Sequence, residues 1–449
     1  MSETDEEGGL FDSDLTLMLG VLGVIYLVYI GFGVALGYSP RGQISSLGNL
    51  TFFIAVFAMA ALALNLHWGY TGLFNIGIVG FMAVGVYFAG IVSKPALSAA
   101  SGAAEVGGFG LPLWLGVIVG MCAAGAVGAL AALPALRLRA DYLAIVTVAL
   151  SEIVRFSLLS EEFAAVGVGD YTVGLGGGDG VILDYGDPLE LFIKALSAPF
   201  DLVTGQQGFL WDQLYLGSIV EPAAGVIGKN PKPVVDTVAY SLLLLGVTVL
   251  LYVLLDRIGS SPFGRVLRAI REDEDAAKAL GKNTDAFKIK SFVVGCALMG
   301  LVGFLWFGSQ GSVTPNTFRP RITFFVWIAV IIGGAGSNTG SVLGGAIFAG
   351  VLFQGPLYLK NVVFSFLNNP TAPSGFGPAV APLSNGEIFP LVLYTLDSLR
   401  QLQPVIMGVV LIVLMHRRPQ GLLGHRKDPA SAISIGRSVA TDGGETDEQ

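Results

Sequence analysis

Two ionisable residues of opposite charge lie in one apolar segment of the sequence, where charges are costly. Glu152 and Arg155 are three residues apart in the run Tyr142–Leu159. Side chains at that spacing share a helix face and can pair. Ionisable groups inside a membrane segment are usually functional or paired. The two residues are therefore either a structural ion pair near a helix end or part of a gate or translocation path.

Two glycine-rich interruptions of apolar segments, around Gly69–Gly72 and from Gly333 to Gly340, carry further polar side chains. The candidates for a translocation path are Asn65, Tyr70, Asn75, Ser337 and Asn338, together with Glu152 and Arg155. Non-helical backbone at membrane depth is tolerated inside protein or beside a water-filled path. Paired interruptions of this kind predict such a path. The other interpretation is close packing of glycine-rich helices.

The chain lacks the residue sets that chemistry on a substrate requires. No GxxxxGK[ST] sequence is present, so we do not expect this chain to hydrolyse ATP itself. The histidines, His67, His416 and His425, have no spacing that predicts a metal site. We therefore predict no catalytic residue, no metal and no cofactor in this chain. If the chain transports a solute, the energy must come from a partner or from an ion gradient.

The segment Ser261–Phe292 is amphipathic and does not span a membrane. Its apolar residues recur at helical spacing in two groups, which are Val266, Leu267 and Ile270, then Ala276, Ala279 and Leu280. The pattern predicts two short surface helices joined by an acidic turn, the second ended by Gly281. Such an element lies in the membrane interface, docks its apolar stripe into a groove on a partner, or is a solvated connector. The acidic turn argues against contact with anionic lipid and so favours docking on a partner.

The composition places these candidates in a membrane protein. Of the 449 residues, 53% are hydrophobic and 13% are charged, and the mean hydropathy is +0.70. Soluble domains carry about 25% charged residues. The candidate membrane segments are Leu15–Leu36, Leu50–Trp68, Ile76–Ile91, Leu113–Leu133, Tyr142–Leu159, Val235–Leu255, Ile289–Phe307, Thr323–Ile332, Ser341–Leu357 and Pro404–Met415. They predict an all-α polytopic membrane protein with about ten transmembrane helices in two related halves.

The distribution of polar and charged residues predicts how the chain is organised. The units are a disordered acidic tail (1–14), an N-terminal transmembrane half (15–159), an extracellular polar insertion (160–233), a C-terminal transmembrane half (234–424) with a cytoplasmic loop (261–290) and an extracellular loop (360–403), and a second disordered acidic tail (425–449). Lys and Arg cluster after the fourth, sixth and tenth segments, which predicts that those loops and both termini are cytoplasmic. The two outward stretches form a docking surface for an extracellular partner or are insertions without a role.

Five stretches of the sequence resemble one family, the ABC permeases for branched-chain amino acids of the LivM type. GRVLRAIREDEDAAKALG, from Gly264 to Gly281, is similar to the family's coupling loop. Leu62–Ile91, Leu136–Phe156, Ile332–Phe348 and Arg417–Gly424 resemble its other characteristic segments in the same order. The coupling residues that the resemblance implies are Gly264, Arg268, Arg271, Glu272, Asp275, Ala276, Ala277 and Gly281. Asp275 stands where the family usually has Glu.

The resemblance implies a permease subunit of an ATP-driven importer in the cell membrane, which translocates branched-chain or related amino acids. Relatives that move amides or urea share these motifs. The implied partners are cytoplasmic ATP-binding subunits that dock on the loop, a second permease subunit of the LivH type and an extracellular solute-binding protein. The lipid bilayer surrounds the chain, and we expect no nucleic-acid partner.

Two other hypotheses follow from the residues themselves. One is a secondary transporter driven by an ion gradient, with Glu152 and Arg155 as coupling groups. The other is a membrane scaffold without transport, which the paired interruptions disfavour. The substitution Gly281→Val separates the secondary transporter from the ATP-driven importer. It should be nearly silent in a secondary transporter and should impair an ATP-driven importer.

Overall fold

The protein is built almost entirely of helices. The computed structural model describes residues 7–95, 107–135, 140–168, 171–183, 189–190, 193–194, 197 and 209–424. The helices are α1 (Glu7–Ala35), α2 (Pro40–Asn65), α3 (Ile78–Ser93), α4 (Leu113–Ala135), α5 (Ala140–Leu159), α6 (Glu221–Ile227), α7 (Lys232–Ser260), α8 (Pro262–Glu272), α9 (Glu274–Ala279), α10 (Thr284–Phe307), α11 (Pro320–Gly333), α12 (Asn338–Ile347), α13 (Gly355–Phe366), α14 (Phe376–Val380), α15 (Phe389–Asp397) and α16 (Leu399–Arg417). Each predicted apolar segment falls on helical structure, although Ser341–Leu357 spans α12, the π-helical stretch Phe348–Gln354 and the beginning of α13.

The helices confirm an all-α polytopic membrane protein, although not the count of about ten crossings. Within the described ranges, 7 helices are long and apolar enough to span a bilayer, and the count is 8 if α15 and α16, bent by 84°, form one span. Helix α3 has 16 residues and α11 has 14, fewer than the length expected of a full span. Both are apolar and largely buried among other helices.

The ends of the chain lie mostly outside the described residues. Helix α1 begins at Glu7, earlier than the predicted boundary at residue 15. Residues 1–6 and the predicted tail 425–449 are outside the described ranges, as are Arg137 and Arg139, which contributed to the predicted orientation.

Helix α2 lies at the centre of the bundle. Every residue from Ile54 to Asn65 is buried, as expected for a helix that is hydrophobic on all sides. It runs parallel to α7, since Ser241 bonds the carbonyl of Gly48 and Thr248 bonds that of Ala55. A π-helical turn, Leu66–Tyr70, extends it.

The two predicted transmembrane halves are interleaved in space. Helix α2 of the first half packs against α7 and α12 of the second, and α10 of the second packs against α3 and α4. Three helices meet where Gly85 of α3, Gly120 of α4 and Gly300 of α10 approach each other backbone to backbone. Small residues at such crossings let transmembrane helices pack closely.

The predicted insertion 160–233 contains ordered elements. Short strands β1 (Val166–Val168) and β2 (Tyr171–Val173) form an antiparallel hairpin. Strand β3 (Val181–Ile182) pairs with β4 (Ser312–Val313), which joins the insertion to the connection between α10 and α11. A π-helical segment, Phe209–Val220, packs beside the start of α7. The predicted loop 360–403 is also largely helical, since it holds the end of α13 and helices α14 and α15.

Candidate functional site

Local capping signals form the predicted coupling loop as two helices. The Ser261 hydroxyl accepts a hydrogen bond from the backbone of Gly264 at 3.3 Å and so begins α8. Asp273 has extended backbone, which ends α8, and its carboxylate accepts from the backbone of Ala276 at 2.9 Å, which begins α9. Gly281, with φ of 75°, ends the second helix as predicted.

The two helices of the loop turn their apolar residues in opposite directions. Leu267 and Ile270 of α8 are buried against the protein's own helices, so the prediction that this stripe docks on a partner is wrong for α8. The stripe faces inward because α8 packs between the ends of α7 and α10 and the π-helical turn of α2. By contrast, Ala276 of α9 is exposed, and Leu280, which directly follows α9, is 79% exposed.

The acidic residue Glu274 fastens α9 to the beginning of α10. Its carboxylate contacts Lys288 at 2.7 Å and Lys278 at 3.0 Å, and it accepts from the Thr284 hydroxyl at 3.2 Å. Partial burial acts to raise the pKa of the carboxyl, but the hydrogen bonds of the two lysines outweigh it and leave the pKa below the ordinary 4.5. Two faces of α9 therefore differ, since Ala277 and Glu274 hold the helix while Asp275 and Ala276 face outward.

The two inward-facing arginines of α8 bind the backbone at the ends of α2 and α7. Arg271 donates to the carbonyl of Gly69, in the π-helical turn. Arg268 donates to the carbonyl of Gly259 at 2.7 Å, and its guanidinium lies 5.7 Å from the centre of the Tyr70 ring. Charge-assisted bonds of this kind are stronger than neutral ones. Residues from both predicted sets, the coupling loop and the candidate path, are thus in direct contact.

The two glycine-rich interruptions also contact each other. Asn65 is completely buried. Its side-chain oxygen accepts from the backbone of Gly336 at 2.7 Å, and its amide donates to the side chain of Asn338 at 3.1 Å. Ser337 accepts from the backbone of Gly340 and caps α12. The first interruption connects α2 to α3 and the second connects α11 to α12. Both therefore lie between helices, where the order of the predicted segments placed them.

Asn75 belongs to a neighbouring buried group around His67. One ring nitrogen of His67 is 3.2 Å from the Asn75 amide and the other is 3.0 Å from the carbonyl of Phe292, on whose ring it stacks. Trp327 of α11 donates to the backbone carbonyl of Asn75 at 3.0 Å. The group joins α2, α10 and α11. The spacing of the histidines predicted no metal role for His67 and did not indicate this packing role, for which the local signal is a polar ring in an apolar run.

The C-terminal signature RRPQGLLG packs onto the second interruption. The backbones of Leu422 and Leu423 donate to the carbonyls of Ile332 and Gly333 at 2.9 Å and 2.8 Å. The resemblance identified this segment but gave no reason for its sequence, and the structure supplies one, because Gly421 and Gly424 lie against Gly334.

Glu152 and Arg155 lie apart from this group. Arg155 donates to one carboxylate oxygen of Glu152 through Nε at 3.0 Å and through Nη2 at 2.6 Å. A third contact, of 3.5 Å, joins Arg155 Nη1 to Asn316, in the turn before α11. The predicted path residues therefore form two groups, one beside the coupling loop and one at the far end of α5.

The family comparison covers most of the chain. The model for branched-chain amino acid transport system permease components matches residues 46–415. The high-affinity branched-chain amino acid transport system permease protein LivM of Escherichia coli K12 is 31% identical over 290 residues, which are 64% of this chain and 58% of the relative. The chain thus matches less than two thirds of that relative's length.

Two further relatives agree with this match. A probable branched-chain amino acid transport permease protein LivM of Methanocaldococcus jannaschii is 26% identical over 346 residues, covering 72% of this chain and 85% of the relative. LivH of Escherichia coli K12 is 36% identical over 88 residues, 19% of this chain and 28% of the relative. No solved structure is significantly similar to the chain. The chain belongs to the family of branched-chain amino acid transport system permease components.

Proposed function

We propose that the chain is the permease subunit of an ATP-driven importer that moves branched-chain or related amino acids across the cell membrane, without catalytic residues of its own. Family membership and the names of the curated relatives support this function. The proposed partners are cytoplasmic ATP-binding subunits, which hold the ATP, a second permease subunit of the LivH type and an extracellular solute-binding protein.

The observation that carries the proposal is the opposite orientation of the two loop helices. Helix α8 is held by the buried Leu267 and Ile270 and by the bonds of Arg268 and Arg271. Helix α9 exposes Asp275 and Ala276, and Leu280, which directly follows it, is exposed as well. An exposed short helix that is rigidly joined to a bundle suits docking to a subunit that moves. A secondary transporter has no need of such an element.

The proposed orientation follows from the same loop. If α8 and α9 face the cytoplasm, then so do the π-helical turn of α2 and the interruption between α11 and α12, which contact α8 or each other. Strands β1 to β4 and helices α14 and α15 then face outward, where a solute-binding protein would dock. Both termini are proposed to be cytoplasmic.

A mechanical route leads from the loop into the membrane. Movement of α9 by the ATP-binding subunits would carry α8 with it. Arg271 would transmit the movement to Gly69, and Arg268 would transmit it to Gly259 and Tyr70. Asn65 would pass the movement of α2 to Gly336 and Asn338, at the start of α12. The ends of α2, α7 and α12 would thus shift together and alternate access to the path.

The test is uptake into proteoliposomes. The chain would be purified from its native membrane in mild detergent with its associated subunits, identified by mass spectrometry, and reconstituted with the binding protein and labelled leucine. The proposal predicts that ATP drives uptake and that proton or sodium gradients do not. Uptake by the chain alone, driven by a gradient, would instead establish the secondary transporter.

A further inference from the structure

The ion pair of α5 lies well away from the coupling loop. Thr147 of the same helix accepts a hydrogen bond from the backbone of Ile76, which belongs to the first interruption. Arg155 is eight residues further along α5, about 12 Å away at the rise of an α-helix. The contact of Arg155 with Asn316 joins it to the connection that carries β4. In the proposed orientation this is the outward side of the bundle.

The two carboxylate oxygens of Glu152 differ in their hydrogen bonding. Oε2 of Glu152 accepts both bonds of Arg155, whereas the buried Oε1 has no hydrogen-bond partner within the described part of the chain. An Arg–carboxylate pair commonly uses both oxygens in parallel. Nη1 of Arg155 is engaged by the long 3.5 Å contact with Asn316. The pair therefore offers one acceptor without a partner and one weakly engaged donor.

Ser151, the residue before Glu152, also has a buried polar atom without a hydrogen-bond partner among the described residues. The atom is its hydroxyl oxygen, and the residue is 2% exposed. A serine inside a helix commonly bonds the carbonyl one turn earlier, so an unpaired hydroxyl is unusual. Buried polar atoms without partners cost free energy, and an occupant that supplies the missing bonds would explain them.

We infer that Glu152 and Arg155 form a receiving site for the α-ammonium and α-carboxylate groups of an amino acid, which rests on the proposed function. The ammonium group would bond Oε1 of Glu152, and the carboxylate would bond Nη1 of Arg155. A zwitterion brings one charge of each sign to a pair that already holds one of each. It therefore enters without adding net charge to a partly buried site, where an unpaired charge is costly.

The neighbourhood of the pair suits an aliphatic side chain. Ile153 and Phe156 on the same helix are each 61% exposed. The guanidinium of Arg155 lies over the Phe156 ring, 4.3 Å from its centre. An amide or urea has the polarity but not the two charges, so the pair favours amino acids among the substrates that the family's motifs allow.

The test is direct binding of radiolabelled leucine to the assembled transporter in lipid nanodiscs without the solute-binding protein. Competitors are 4-methylpentanoate, which keeps only the carboxylate, and isoamylamine, which keeps only the ammonium. Neither should displace leucine from the wild type. Glu152→Gln and Arg155→Gln should each weaken leucine binding about tenfold or more, the usual worth of a hydrogen bond to a charged group. Glu162→Gln, on the exposed outward side, is the matched control.

A charge swap separates recognition from a structural role. The double variant Glu152→Arg with Arg155→Glu restores an ion pair but reverses its direction. Recognition predicts that leucine binding stays lost although the complex assembles. A wild type that binds no leucine, single variants with unchanged affinity or a swap that restores binding would each overturn the inference. ATP-driven leucine uptake would still stand in those cases, whereas failure of the proposed function would remove that uptake from the wild type.

Discussion

The guanidinium of Arg271 donates a hydrogen bond to the backbone carbonyl of Gly69, 202 positions earlier in the chain. The bond joins the helix that the sequence assigns to coupling with the turn that the sequence assigns to the path. Because the side chain of Arg271 is bonded to the backbone of Gly69, a movement of the loop would displace the end of the central helix α2. The mechanism proposed above depends on it.

The end of α9 requires a left-handed residue. Gly281 has φ of 75°, and no atom lies within 4 Å of the place where its Cβ would be. A β-branched residue is strained in this conformation by about 1–2 kcal/mol or more, whereas Asn adopts it readily. Gly281→Val should reduce co-purification of the ATP-binding subunit and ATP-driven uptake several-fold, and Gly281→Asn should preserve both. Equal behaviour of the two variants would show that the conformation of this turn does not matter.

The glycine crossing of α3, α4 and α10 should set the stability of the bundle. A Cβ on Gly85 would lie 2.3 Å from the carbonyl oxygen of Gly300. Gly85→Ala should therefore lower the free energy of unfolding by about 1–3 kcal/mol, as overpacking does. Thermal unfolding in detergent measures this. The control is Gly246→Ala in α7, where a Cβ meets no atom within 4 Å, and an unchanged midpoint for Gly85→Ala would count against the crossing.

The contact between the two interruptions can be isolated by a double-mutant cycle. Asn65→Ala leaves the backbone of Gly336 and the side chain of Asn338 without the bonds that Asn65 makes. Unpaired buried groups cost about 1–3 kcal/mol each. Asn65→Ala and Asn338→Ala should each destabilise the protein, and the double variant should cost less than their sum. Strict additivity of the unfolding free energies would show that the two side chains act independently.

The anchoring of α9 should depend on pH through Glu274. Its pKa lies below the ordinary 4.5. A carboxyl with a lowered pKa in the folded state stabilises that state above its unfolded pKa, and this stabilisation is lost as the pH falls through the folded value. Amide hydrogen exchange in α9, corrected for intrinsic rates, should show full protection at neutral pH and loss below pH 4.5. Glu274→Gln should remove the dependence, and an identical profile in that variant would contradict the assignment.

The features that the sequence predicted are those with local causes. Apolar segments predict the helices because burial in a membrane acts along consecutive residues. Gly281 predicts the end of the second loop helix because capping acts within one turn, and the caps at Ser261 and Asp273 that the structure shows are equally local. Here the helices agree with the prediction, and the end of α9 falls at the glycine expected to close it.

The features that the sequence did not predict are contacts between distant parts of the chain. The stripe of Leu267 and Ile270 marks an amphipathic helix, but periodicity does not say whether its apolar face covers the protein itself or a partner. Arg271 lies 202 residues from Gly69, and Asn65 lies 271 from Gly336. No local pattern specifies such pairs. For the same reason the sequence placed the two interruptions between helices but did not predict that they contact each other.

The most direct test of the account replaces Arg271 in the reconstituted transporter and measures leucine uptake and ATP hydrolysis in the same vesicles. Arg271→Gln removes the charged group that donates to the carbonyl of Gly69 and leaves the exposed face of α9 unchanged. The control is Arg265→Gln, on the exposed side of α8. The account predicts that Arg271→Gln still hydrolyses ATP but moves about tenfold less leucine per ATP, within the range of coupling energies between sites. A ratio of uptake to hydrolysis equal to that of the wild type would contradict it.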